Sequence, residues 1–86
     1  MNTTPALLAA VQHTEAAATL MDSTGADLFD YHATRILTGI ANGNHDDAAR
    51  ALNALCDELE AANNPADTSD TRALNAIASA RAALNI

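Results

Sequence analysis

The apolar positions of this chain recur at the spacing of an α-helix, in four separate segments. The clearest series runs through residues 28–40, where one helical face would hold every large apolar side chain except that of Tyr31. That face consists of Leu28, Phe29, His32, Ala33, Ile36, Leu37 and Ile40. The polar residues of the same segment fall on the opposite face. The pattern is typical of a helix that packs one side against a core and exposes the other.

Three other segments show similar but narrower stripes. In the first segment the apolar residues are Leu7, Val11, Ala18 and Met21, with Leu8 and Leu20 at the edges. In the third they are Ala48, Leu52, Leu55, Cys56, Leu59 and Ala62, and in the fourth Ala73, Leu74, Ile77, Ala80 and Leu84. No segment alternates apolar and polar residues as a half-buried strand does. The chain therefore predicts an all-α fold.

Capping and turn residues indicate where the helices begin and end. Thr4-Pro5 favours a helix start, because threonine can cap the first turn and proline has no N–H to leave unpaired. Asn42-Gly43 favours a helix end, since both residues tolerate the left-handed conformation. Asn44 can cap the helix that follows. The predicted helices span about residues 4–22, 25–41, 45–62 and 67–84.

Four helices of similar length with short connections favour a small antiparallel four-helix bundle, with residues 1–86 as a single helical domain. The alternative is two helical hairpins that complete a shared core as a homodimer. Alanine occurs 22 times, whereas Leu, Ile, Val and Phe together account for 16 of the 86 residues. Because alanine buries little apolar area, this core leaves a small margin against chain entropy. Self-association or a partner would add to that margin.

The charge of the chain restricts its partners. Eleven acidic residues face four arginines and no lysine, which gives a formal net charge of −7. Clustered Lys and Arg supply the affinity for phosphates, so we expect no direct binding to nucleic acid or to an anionic membrane surface. No segment approaches the roughly 20 apolar residues of a membrane span, and no basic region precedes the first apolar run. We expect a soluble, cytoplasmic protein that suits a basic partner.

The sequence contains no recognisable catalytic, cofactor or metal site. The soft or borderline metal ligands are His13, His32, His45 and Cys56. They lack the paired spacing of a zinc site and the Glu-x-x-His pattern of a di-iron bundle. We expect Cys56 to be a buried small hydrophobe and His32 a core-edge imidazole that hydrogen-bonds to the backbone. Without a phosphate-binding loop or a nucleophile elbow, the chain is predicted not to be an enzyme and to need no cofactor.

Three acids near the end of the third helix need a separate explanation. Asp57, Glu58 and Glu60 lie where the helix dipole is already negative, at a cost of a few tenths of a kcal/mol each when exposed. They form either a solvated polar face or a recognition face for a basic partner. The predicted partner face consists of Asp46, Arg50, Asn53, Asp57, Glu58 and Glu60, together with Tyr31. If these acids serve a partner, replacing Asp57 and Glu60 with glutamine should leave the fold intact and stabilise the isolated protein slightly, since two charges opposed to the dipole are removed.

These features predict a small acidic protein–protein interaction domain. It would act as an inhibitor or adaptor that occupies a basic or nucleic-acid-binding surface of another protein. Small acidic phage proteins that inhibit host defence, anti-CRISPR proteins among them, share its size and charge, an analogy that involves no shared residues. One alternative is a homo-oligomeric structural or regulatory protein. Another is a metal- or small-molecule-binding bundle that uses His32 and carboxylates.

Overall fold

The computed structural model describes residues 4–21, 23–62 and 68–84 of the chain. Four helices pack together: α1 spans Thr4–Leu20, α2 spans Ser23–Ala41, α3 spans His45–Ala62 and α4 spans Thr68–Leu84. They confirm the predicted all-α four-helix bundle. Each bound lies within two residues of the one predicted from caps and stripes. Two of the predicted ends, at residues 22 and 67, lie outside the described residues.

The bundle consists of two closely packed helix pairs. α1 packs mainly against α4, and α2 packs mainly against α3, while the described residues of α2 make no contact with α4. α2 and α3 run antiparallel, since Gly39 near the end of α2 lies against Ala48 near the start of α3. A hydrogen bond of 3.2 Å between Thr4 Oγ1 and His45 Nε2 places the start of α1 beside the start of α3.

A glycine turn joins α2 to α3. Gly43 has a φ of +75°, the left-handed conformation that glycine adopts without strain. The amide of Asn44 donates to the Gly39 carbonyl at 2.8 Å, and the amide of Gly43 donates to the Ile40 carbonyl at 3.2 Å. These two bonds form a Schellman motif, which satisfies carbonyls that the end of α2 would otherwise leave unpaired. The predicted stop at Asn42-Gly43 is confirmed.

α3 contributes most of the large buried side chains. Like α1, it contacts each of the other three helices. The largest fully buried apolar side chains are Leu52, Leu55 and Leu59 of α3, Ile36 of α2 and Ile77 of α4. Full burial of one such side chain contributes about 1.5–3 kcal/mol. The stripe predicted for α3 is confirmed except at its last residue, Ala62, which is exposed.

Two leucines predicted to face the core lie at the surface instead. The exposed fraction is 48% for Leu37 and 42% for Leu74. Leu8, expected at the edge of its stripe, is 42% exposed. The buried residues where helices pack against each other include many small ones: Ala10, Ala17, Gly25, Gly39, Ala73 and Ala80. Small side chains let helix axes approach closely. Larger side chains beside such a contact therefore remain at the surface.

Thr14 is a buried polar residue that the apolar pattern did not reveal. Its side chain is fully buried in α1. The hydroxyl lies 3.0 Å from the carbonyl oxygen of Ala10 and 2.9 Å from that of Val11. A threonine can bond to carbonyls of the preceding turn in this way, so its polar group is satisfied while its methyl group packs in the core.

Candidate recognition surface

Two of the three acids at the end of α3 bind an arginine of α4. Arg81 donates from Nη2 to Asp57 Oδ1 at 2.6 Å and from Nε to Glu60 Oε1 at 3.0 Å. The Arg81 side chain is 32% exposed. Its hydrogen bond to Asp57, followed in size by the one to Glu60, raises the pKa of Arg81 above its usual range. The guanidinium therefore offsets the unfavourable position of both carboxylates at the negative end of α3.

The third acid, Glu58, pairs with a residue of α2. Its Oε2 forms a hydrogen bond with Nε2 of His32, whose side chain is only 12% exposed. The sequence predicted that the His32 ring hydrogen-bonds to the backbone. That prediction is wrong for Nε2, which bonds to the Glu58 carboxylate. The ring of Tyr31 stands edge-on to the His32 ring, with centroids 5.0 Å apart. The three acids thus connect α3 to α2 and to α4.

The predicted partner residues in the first half of α3 have different side-chain contacts from the acids at its end. Asp46, Arg50 and Asn53 are exposed on α3. Among the described residues neither Asp46 nor Arg50 takes part in an ion pair. The Asn53 amide donates to the Ala49 carbonyl at 3.1 Å. Only this part of the α3 stripe is free to contact another molecule without giving up a side-chain ion pair.

An acid outside the predicted partner face also links two helices. Arg35 of α2 donates from Nη2 to Asp47 Oδ1 at 2.7 Å and from Nε to Asp47 Oδ2 at 3.3 Å. The hydrogen bonds from Arg35 hold the pKa of Asp47 below its usual range and raise the pKa of Arg35. The helix dipole accounts for an acid in the first turn of α3, where Asp47 lies. The side-chain partner of Asp47, however, comes from α2.

A shallow groove lies between α1 and α2. We call it the α1–α2 groove, and its volume is about 240 Å³. It is lined by Glu15, Ala18 and Thr19 of α1 and by Ala26, Phe29 and Asp30 of α2. In the described part of the chain, neither of its carboxylates takes part in an ion pair. Sequence reasoning missed this site, because its two carboxylates lie on different helices.

The outer face of α2 continues from this groove. Asp27 and Tyr31 are one helical turn apart, so their side chains lie on the same face, next to Asp30. Tyr31 is 80% exposed, the largest exposed fraction among the large apolar side chains at the surface. Asp27 is also exposed and, within the described ranges, belongs to no ion pair. Tyr31 is the predicted partner residue that α2 contributes, and it lies beside Asp27 and Asp30, which belong to no ion pair within the described residues.

The described residues offer little for covalent or metal chemistry. They contain no group of three or more His, Cys, Asp or Glu side chains that could hold a metal ion. Cys56 is buried, and burial raises the pKa of its thiol, with a smaller opposing effect of Arg81. Such a thiol is a poor nucleophile at neutral pH.

No helix in the described ranges combines the length and apolarity that a transmembrane span requires. Comparison with protein-family models, with curated proteins and with solved structures finds no match to this chain.

Proposed function

We propose that this chain is a protein–protein interaction domain that binds a basic surface of another protein, as an inhibitor or adaptor. The observation that supports it is the uneven distribution of unpaired charge. The acids at the end of α3 have partners within the bundle, whereas Glu15, Asp27 and Asp30 remain unpaired on α1 and α2 within the described ranges. Exposed Tyr31 lies on the same face of α2 as Asp27, next to Asp30. Tyrosine is enriched among residues that dominate binding energy at protein interfaces.

The same charge distribution favours the inhibitor form of this proposal. A surface that binds nucleic acid must be rich in Lys and Arg, because it neutralises phosphates. An acidic domain with a net charge of −7 would be steered to such a surface by long-range attraction and would compete with the nucleic acid there. Small phage proteins that inhibit host defence supply an analogy in size and charge only.

The test combines capture of a partner with the salt dependence of binding. Wild-type protein and a Tyr31→Ala variant serve as baits, and mass spectrometry identifies proteins retained only by the wild type. The affinity of each captured protein is then measured from about 50 to about 500 mM salt, since screening over about 10 Å weakens attraction between exposed charges. We expect a basic partner whose association slows as salt rises. An affinity that does not change with salt would contradict the proposal.

Self-association is the second candidate, and a different observation favours it. Leu8, Leu37 and Leu74 leave large apolar side chains exposed on α1, α2 and α4. A homodimer that covered part of this area would gain stability that a light, alanine-rich core does not supply. Sedimentation equilibrium of the purified chain over a hundredfold range of concentration tests it. A single monomeric mass throughout that range would exclude a homodimer as the working form.

A further inference from the structure

We propose that the α1–α2 groove receives one arginine side chain of the partner. This inference rests on the proposed function and assigns its contact site. Small-molecule pockets have volumes of about 300–1,000 Å³, so a groove of about 240 Å³ suits a single side chain better than a drug-sized ligand. The groove combines apolar walls with two carboxylates, and that combination defines the occupant.

Both helices contribute the same arrangement of side chains. The three residues from α1 are spaced i, i+3 and i+4, as are the three from α2, so each set lies on one helical face. Among the lining residues of α1, Glu15 is the furthest in sequence from the connection between α1 and α2. Among those of α2, the furthest is Asp30. Ala18, Ala26 and Phe29 provide the apolar part of the lining. A long side chain with an apolar stem and a cationic head matches this division.

Arginine matches the lining better than lysine does. Its guanidinium is planar, stacks on aromatic faces and presents several N–H donors at fixed angles, so it can bond to two carboxylates at once. Phe29 offers the aromatic surface, while Glu15 and Asp30 offer the acceptors. A lysine ammonium is more strongly hydrated and stacks less well. The Thr19 hydroxyl donates to the Glu15 backbone carbonyl at 2.8 Å, which leaves the Glu15 carboxylate available.

A short blocked peptide, acetyl-Ala-Arg-Ala-amide, serves as the probe in an NMR titration of the ¹⁵N-labelled protein. We expect saturable shifts of amide signals that centre on the groove, at Glu15, Ala18, Thr19, Ala26, Phe29 and Asp30. The same peptide with citrulline keeps the shape but loses the charge, and it should cause no saturable shift. A lysine peptide should bind more weakly than the arginine peptide. Shifts that centre elsewhere, or equal binding of the citrulline peptide, would overturn the proposal.

Matched variants separate the groove from charge in general. Glu15→Gln and Asp30→Asn should each weaken probe binding about two- to fivefold. Asp47→Asn removes the same charge from an acid outside both the groove and the predicted partner face, and it should leave binding unchanged. Ala26→Met fills the groove without altering charge and should abolish binding. Circular dichroism confirms that each variant is folded. Equal weakening by Asp47→Asn would show that only the overall charge matters.

A captured partner separates this inference from the proposed function. If a basic partner binds the wild type and Ala26→Met reduces that binding, both stand. If the partner binds Ala26→Met and Asp30→Asn as tightly as the wild type, the groove is not its site, although the proposed function survives. If the arginine probe occupies the groove while every captured protein lacks a basic surface, the site stands and the proposed function fails.

Discussion

Arg81 Nη2 lies 2.6 Å from Asp57 Oδ1, and this contact holds the last turn of α4 beside the last turns of α3. The backbone carbonyls of both helix ends make this region negative. A guanidinium bound to two carboxylates, those of Asp57 and Glu60, supplies the compensating charge. In α2 and α3, by contrast, the end of one helix meets the start of the next. The ion pairs of Arg81 therefore help to determine how α4 crosses α3.

Removing these carboxylates should destabilise the protein. We expect Asp57→Asn combined with Glu60→Gln to lower the free energy of unfolding by about 0.5–1 kcal/mol, because Arg81 loses both partners while remaining partly buried. The effect is small since both acids are substantially exposed. Dipole energetics alone predict the opposite sign. Urea denaturation measures the change, with Asp46→Asn as the control, and a stabilised double variant would contradict the role assigned to Arg81.

Two adjacent residues of α2 should differ sharply in their contribution to stability. Ile36 is fully buried, whereas Leu37 is 48% exposed. We expect Ile36→Ala to cost about 2–4 kcal/mol through lost burial and a residual cavity, as should Leu55→Ala in α3. Leu37→Ala should cost about 0.5 kcal/mol or less in the monomer. Thermal or urea unfolding compares them, and similar losses at positions 36 and 37 would show that α2 is rotated from the orientation described.

Gly25 should not tolerate a methyl group. A Cβ atom there would lie 2.7 Å from Met21 Cβ and 3.0 Å from the Ala18 carbonyl oxygen. Alanine gains about 1 kcal/mol of helix propensity over glycine, but overpacking costs about 1–3 kcal/mol. We expect Gly25→Ala to lower the melting temperature. Gly39→Ala is the comparison, with its closest contact at 3.2 Å and a smaller expected loss. A higher melting temperature for Gly25→Ala would mean that α1 and α2 are further apart at this point.

The Arg35–Asp47 pair should make stability depend on pH in the acid range. Arg35 lowers the pKa of Asp47, so the folded state takes up this proton at a lower pH than the unfolded state. The stabilisation is present above about pH 4, the usual range for an unfolded aspartate, and is lost as pH falls through the folded pKa. We expect Asp47→Asn to show a shallower loss of stability between about pH 5 and pH 2. Arg35→Gln removes the partner instead of the acid and should give the same shallower loss; a wild-type slope in both variants would exclude this linkage.

Local chemistry determined the four helices and nearly all of their ends. Caps, a left-handed glycine and 3.6-residue periodicity act within a few positions of each other, so they can be read along the chain. The α3 stripe was also predicted well, since Ala48, Leu52, Leu55, Cys56 and Leu59 are all buried. The acidic composition and the expectation of a basic partner came from the sequence too, and the partner remains a prediction.

Tertiary structure alone decided which apolar residues reach the core and which acids are free. Periodicity identifies a face but does not specify how closely another helix approaches it, so Leu37 and Leu74 were placed inside while Gly39 and Thr14 were overlooked. The acids at the end of α3 were explained by their own helix, although their partners, His32 and Arg81, lie 26 and 24 residues away from Glu58 and Asp57. Side-chain pairing acts over a few ångströms in space, and the chain order does not state which helices will be that close.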